Sequence, residues 1–244
     1  MQDLLLTIKE NSRLTEKMFR MVLSGDGLSA QLPGQFVNVQ INGLYLRRPI
    51  SVCDFENNSV TIIYAVVGKG TKALSEMKPG ETLSVLTGLG NGYDTSVSGD
   101  HPLLIGGGAG VPPMFLLAKK LIAEGKQVTV VLGFNTKSEV YYTEEFFKAG
   151  CHIRLATVDG SLGAKGFATD ILPSDYSYVY TCGPEPMLKA VYKTIQTSGQ
   201  FSFEERMGCG FGACMGCSCK TITGYKRICK DGPVLRKEEI LWED

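Results

Sequence analysis

"PLLIGGGAGVPPMFLLAKKLIAEG", residues 102–125, decides the fold. A short apolar run ends in glycines, two prolines follow, and an apolar stretch of helical length then runs on to Gly125. Proline suits the first turn of a helix, where its missing N–H has no partner to lose, and glycine suits the position just past the end. The segment reads as buried strand, glycine turn and helix. "QVTVVLGF", 127–134, resumes as a strand. The same alternation continues through "TEEFFKAG", "HIRLATV", "GFATDIL", "YVYTC", "EPMLKAVYKTIQ" and "FSFEERM". Strands that alternate with helices predict a parallel sheet covered on both faces.

Upstream the grammar differs. "LLLTIKE", "MFRMVLSG", "QFVNVQI", "ISVCDFE", "SVTIIYAVV" and "TLSVLTGL" are strand-like runs punctuated by Gly, Pro, Asn and Asp. Short strands without long helices between them favour a closed antiparallel barrel. One helical insertion is predicted, "TKALSEM" at 71–77, stopped by Pro79-Gly80. The 244 residues therefore divide into a barrel at 1–95, an α/β unit at 96–205 and a glycine- and cysteine-rich tail at 206–244. The expected class is multidomain β plus α/β: an antiparallel β-barrel, a parallel-sheet α/β domain and a small C-terminal cysteine-rich domain.

Composition narrows the function. Lysine plus arginine and aspartate plus glutamate balance at 25 each, so no strong field attracts nucleic acid or an anionic membrane. No apolar run is long enough to span a bilayer and no secretory leader is present, which predicts a cytoplasmic protein. Eight cysteines in such a chain read as reduced thiols rather than disulfides. Cys53 and Cys151 fall in strand-like segments, where a thiol behaves as a small hydrophobe.

The tail is different. "CGFGACMGCSC", residues 209–219, holds Cys209, Cys214 and Cys217 in the pattern C-x4-C-x2-C, the spacing of plant-type [2Fe-2S] loops, with the fourth thiolate further along. Cys219 is too near Cys217 to reach a second iron comfortably, so Cys229 is the expected fourth ligand. Gly208, Gly210, Gly212 and Gly216 let the loop wrap closely and point amides at sulfur. A zinc site is the competing reading, but it usually needs paired C-x2-C knuckles, and one such pair is present.

"LRRPISV", residues 46–52, puts Arg48 three residues before Ser51 in an extended segment. Arginine suits a pyrophosphate and serine a flavin ring. "GKGT", 68–71, precedes a short helix whose free amides suit an anion. Gly106, Gly107, Gly108, Ala109 and Gly110 form a strand-to-helix nucleotide loop, although Val111 stands where a dinucleotide fingerprint has its third glycine. Cys182, Gly183 and Pro184 form a second loop at the same sheet edge. Lys137, near the end of the next strand, is a candidate for a 2′-phosphate, so residues alone leave NADH and NADPH open. His101 and His152 read as surface or strand-end residues.

A barrel with R-P-I-S and G-K-G-T, then G-G-G-A-G-V-P-P, then C-G-P-E-P-M, resembles the ferredoxin reductase family of flavoproteins. The terminal cysteine loop closing in "KDGPV" makes the whole chain similar to the electron transfer subunits of NAD-dependent, class 1B dihydroorotate dehydrogenases. The resemblance implies FAD on Arg48, Pro49, Ile50 and Ser51, on Ile63, Tyr64 and Ala65, and on Gly70 and Thr71. Ala65 stands where many relatives are expected to carry arginine. It also implies a [2Fe-2S] cluster on Cys209, Cys214, Cys217 and Cys229, with NAD on the second domain. A separate FMN-containing catalytic subunit is implied as partner, in a heterotetramer of two plus two. Nicotinamide exchanges two electrons and a cluster one, so the flavin must stand between them. Hydride transfer needs positioning rather than an acid or nucleophile, and no catalytic side chain is expected.

Overall fold

The computed structural model describes residues 1–242. Strands β1 (Gln2–Arg13), β2 (Met18–Ser24), β3 (Phe36–Val39), β4 (Arg48–Glu56), β5 (Ser59–Ala65) and β6 (Thr82–Leu89) close into an antiparallel barrel in the order β1-β2-β5-β4-β3-β6. Alternation points one side chain in two inward: Leu6 and Ile8 on β1, Met21 and Leu23 on β2, and Val37 and Val39 on β3 fill the interior. Helix α1 (Lys69–Glu76) plugs one end with Leu74. It starts two residues before the predicted Thr71. The Thr71 hydroxyl accepts from the backbone N–H of Val67 (2.9 Å) and of Gly68 (3.3 Å), so it caps the turn from inside the helix rather than from its edge.

The second unit runs β7 (Pro102–Gly107), α2 (Val111–Ala123), β8 (Thr129–Phe134), α3 (Thr143–Lys148), β9 (His152–Thr157), β10 (Ala164–Lys165), β11 (Tyr178–Cys182), α4 (Glu185–Thr194) and β12 (Gly199–Ser202). All its strand pairs are parallel, as the alternation predicts. "GFATDIL" makes only a single 3-10 turn at Ala168–Ile171. Strand order is β10-β9-β8-β7-β11-β12, so successive strands leave β7 in opposite directions. Such a switch point opens a crevice at the carboxyl ends of β7 and β11. The two nucleotide loops lie there.

The barrel docks on α2. Met18, Cys53 and Ile63 share one core with Val111, Met114, Phe115, Tyr141 and Tyr142. Lys119 on α2 bonds Asp54 of β4 at 2.9 Å and also Glu56. Cys53 is fully buried in this contact and burial pushes its thiol far above the ordinary range, while Cys151 is pushed up to about 12 for the same reason. Both behave as small hydrophobes, and all eight cysteines are free.

The tail does not stand apart. After the hairpin β13 (Ser218–Thr221) and β14 (Gly224–Arg227), the one-turn helix α5 (Ile228–Asp231) leads into β15 (Val234–Arg236), which adds antiparallel to β12 as the seventh strand of the nucleotide sheet. Cys217, Ile228, Cys229, Leu235 and Ile240 share a core with Phe36 and Leu89 of the barrel and with Leu103 and Ile105 of the sheet. Asn91 sutures it further, bonding both the carbonyl (2.8 Å) and the N–H (3.2 Å) of Val234. A segment too polar to build its own core borrows those of two neighbours.

Candidate functional site

The barrel opens where R-P-I-S lies. The β4–β5 ladder runs from Glu56–Ser59 to Val52–Ile62 and stops, although β4 continues back to Arg48 and β5 on to Ala65. Residues 48–51 instead pair with β3. The diverging ends leave a slot with backbone on both sides. Arg48, Pro49, Ile50 and Thr71 line the adjoining cavity of about 1120 Å³, together with the exposed Tyr45 and Val67. Large apolar side chains left open around a slot suit a planar ligand that covers them.

The side chains of Ile63 and Tyr64 turn away from this cavity. Ile63 enters the core against α2, while Tyr64 stacks on Phe19 inside the barrel and donates its hydroxyl to Asn11 Oδ1 at 3.0 Å. Ala65 packs against the same α2 core as Ile63, and Ser51, Ile63, Tyr64, Ala65 and Gly70 are not among the residues lining the cavity. Gly70 leaves room for Arg48: a Cβ there would overlap the guanidinium, which lies across the first turn of α1. A cation and a helix amino terminus thus converge, and that pair suits a diphosphate. Arg48→Ala is expected to weaken FAD binding roughly tenfold to a hundredfold, the value of a charge-assisted bond. Flavin fluorescence released on dilution measures it.

At the switch point the two loops interlock. A Cβ on Gly110 would overlap the Cys182 carbonyl, and one on Gly106 would stand 3.2 Å from Val111 Cα. Gly108 has φ +51°, and its carbonyl accepts from the Tyr141 hydroxyl at 2.7 Å. Gly107, Gly108, Pro184, Pro186 and Met187 form one wall of a second cavity of about 440 Å³, with Phe134, Asn135, Glu139 and Phe167 opposite. Pro184 also lines the larger cavity, beside Gly183, so this turn is the partition between the two. Cys182 lines neither; burial pushes its thiol up to about 12, and it packs beside Ser202 as a neutral group. His101 and His152 are exposed, away from both cavities.

The cysteines assemble in two pairs. Burial raises the Cys209 thiol, but the N–H groups of Cys214, Phe211 and Ala213 and the Cys214 thiol outweigh it and bring it down to about 6. The amides of Ala213 and Cys214 lie 3.2 and 3.4 Å from Cys209 Sγ. Cys217 and Cys229 are both buried; the Cys229 N–H donates to Cys217 Sγ at 3.4 Å, and burial followed by contact with Cys217 raises the Cys229 thiol. Among the described residues no three such groups surround a single ion position. Two thiolates plus two is the partition a binuclear cluster takes, and sulfur-aimed amides are what its ligands need, so the donor set fits. Gly212, at φ +91°, lies under the Lys230 side chain, and Arg227 donates to its carbonyl at 3.0 Å while pairing with Asp231 at 3.1 Å. Cys219 instead lines the large cavity.

Two residues escaped sequence reasoning. Glu139, five positions beyond the strand end at Phe134, lines the nucleotide cavity and is held there by bonds from Asn135 N (3.1 Å) and Nδ2 (2.9 Å). Its signal was faint because a turn, not the strand, carries it. Lys137 is not among the residues lining that cavity. Asn38 lies under the cysteine loop, in a strand whose pattern marks it only as barrel.

Comparisons with known proteins identify relatives of the whole chain and of two of its segments. Residues 204–241 match the model for the iron-sulfur cluster binding domain of dihydroorotate dehydrogenase B, and 104–193 that for the oxidoreductase NAD-binding domain. The electron transfer subunits of dihydroorotate dehydrogenase B (NAD(+)) from Geobacillus sp. (strain WCH70) and Bacillus pumilus (strain SAFR-032) are each 43% identical, covering 97% and 98% of both chains respectively. Among solved structures, an NADH-dependent reduced ferredoxin-NADP oxidoreductase superimposes with a TM-score of 0.88 at 29% identity, over 98% of this chain and 90% of that one.

Proposed function

Because this chain belongs to the family of dihydroorotate dehydrogenase B electron transfer subunits, we propose that it passes electrons from an FMN-containing dihydroorotate dehydrogenase catalytic subunit to NAD+. When bound, the [2Fe-2S] cluster would supply one-electron chemistry and FAD the exchange between single electrons and the hydride of a nicotinamide. The observation that carries the reading is contiguity: a diphosphate-ready slot, a nucleotide crevice and a paired thiolate loop abut within one chain, with the Gly183–Pro184 turn between the first two. This chain's residues bind and orient. Arg48 and the first turn of α1 hold the diphosphate, the glycine loops bring the nicotinamide end against the slot, and the four cysteines hold the irons.

Glu139 faces the nucleotide cavity and no lysine or arginine is among the residues lining it. A carboxylate there accepts from a ribose 2′-hydroxyl and repels a 2′-phosphate, which favours NAD. Glu139→Lys is expected to weaken NADH roughly tenfold and to admit NADPH. Steady-state KM values for the two nucleotides give the result, and an unchanged ratio removes Glu139 from this role.

Phe211 and Met215, 43% and 56% exposed, crown the cysteine loop as apolar side chains without cover. They suit burial against the catalytic subunit, in an assembly of two copies of each, in the cytoplasm. No described helix is long and apolar enough to cross a membrane. The alternative is a related subunit of another redox complex, of transhydrogenase or sulfhydrogenase type; the NADH-dependent reduced ferredoxin-NADP oxidoreductase is 29% identical to this chain, against 43% for the dihydroorotate dehydrogenase B relatives. Visible and EPR spectra of anaerobically purified protein, before and after NADH, test the core of the reading. Copurification with an FMN protein that dihydroorotate reduces tests the partner, and a colourless protein overturns both.

A further inference from the structure

The core shared by the barrel and the cysteine loop is apolar, and one buried amide stands beside it. Phe36 and Leu86 of the barrel pack in the same cluster as Cys217 and Cys229, yet between them stands Asn38, 1% exposed. Its Nδ2 donates to the Cys209 carbonyl at 3.3 Å, and Gly210, at φ +81°, lies so close that a Cβ would overlap that amide. Its Oδ1 is buried without any partner. An orphaned buried acceptor costs on the order of 1–3 kcal/mol, which offsets much of what the single bond to the Cys209 carbonyl contributes. The net stability that the amide adds here is therefore small.

Its placement supplies another explanation. Asn38 pairs across the ladder with Pro49. Directly paired residues share a face, with Cβ atoms ~4.5–5.5 Å apart, and the Pro49 side chain lines the flavin cavity. Arg47 anchors the strand from the other side, donating to the Asn38 carbonyl at 3.3 Å. A short run of bonded and packed atoms thus joins a cluster ligand, Cys209, to the wall of the flavin cavity.

We propose that Asn38 is the positioning residue that couples the two redox sites, fixing the Cys209 end of the thiolate loop against the flavin wall so that electrons pass singly between them. The proposal rests on the function assigned above. Electron transfer falls steeply as a gap widens, so loss of one clamp acts on that step and not on hydride transfer, whose residues lie at the Gly183–Pro184 turn.

The test uses the full chain carrying FAD and cluster, mixed anaerobically with NADH, with flavin and cluster bleaching followed separately. In Asn38→Leu, which keeps the volume and removes the amide, cluster reduction is expected to slow roughly tenfold to a hundredfold, as small misplacements do. Flavin reduction keeps its rate, and the EPR line positions of the reduced cluster shift. Asn38→Val, smaller and likewise without a donor, must show the same slowing; it serves also if the leucine variant fails to fold. A purely structural Asn38 lowers the melting temperature and leaves the cluster's rate and EPR lines alone, and that result overturns the proposal. A wild-type chain without a [2Fe-2S] signal sinks the functional reading and the coupling together, whereas a normal wild type with unaltered variants sinks the coupling alone.

Discussion

Replacing Cys214 with serine is expected to strip the protein of iron and end electron delivery to the partner, while NADH continues to reduce the flavin. Cys214 shares the pair with Cys209, and serine offers a hard, protonated oxygen where a soft thiolate is needed. The flavin slot and the nucleotide loops take no residue from the pair, so the purified variant should turn from brown to yellow rather than colourless. Cys229→Ser should behave alike, since its sulfur completes the buried pair with Cys217. Cys219→Ser should keep its cluster, because that thiol faces the large cavity. Iron and acid-labile sulfide analysis with EPR reads all three. A Cys219 variant that loses iron while the Cys229 variant keeps it would reverse the assignment of the fourth ligand.

Gly110→Ala carries the second large effect. The added methyl has no flexible neighbour to displace: it meets the Cys182 carbonyl and, at 2.5 Å, the Gly183 N–H, both of them backbone. The loops must separate, opening the partition between the two cavities and moving the nicotinamide off the flavin. Overpacking of this kind costs roughly 1–3 kcal/mol, and hydride transfer, which depends on held geometry, is expected to fall ~100-fold. Gly107→Ala is the control. Its methyl meets the sulfur of Met187, the far end of a side chain that can swing aside, so the melting temperature should stay within a few degrees of wild type. Single-turnover reduction by NADH and thermal melting separate the two, and equal behaviour would contradict the interlocked loops.

Much of this was legible in the chain. The glycine turn between "PLLIG" and "VPPM" marks a strand-to-helix connection because proline and glycine act locally, and β7 and α2 fall there. The thiolate loop was legible too, since most of its ligands lie within nine residues and a cluster must be wrapped by nearby backbone. The start of α1 falls two positions before the expected Thr71 because a hydroxyl that caps from inside a helix looks, in sequence, like one that caps from its edge.

Sequence by itself determined the order of units, the strand and helix grammar and the chemistry of the donors, all of which follow from residues close along the chain. Tertiary structure alone decided three things: that β15 leaves the cysteine-rich tail to complete the nucleotide sheet, that Glu139 reaches the nucleotide cavity, and that Asn38 meets Cys209 across 171 positions. Each is a contact between segments distant in sequence. Local propensity carries no record of such contacts, because they are selected only when the cores close and the surviving polar groups must find whichever partner the packing brings near.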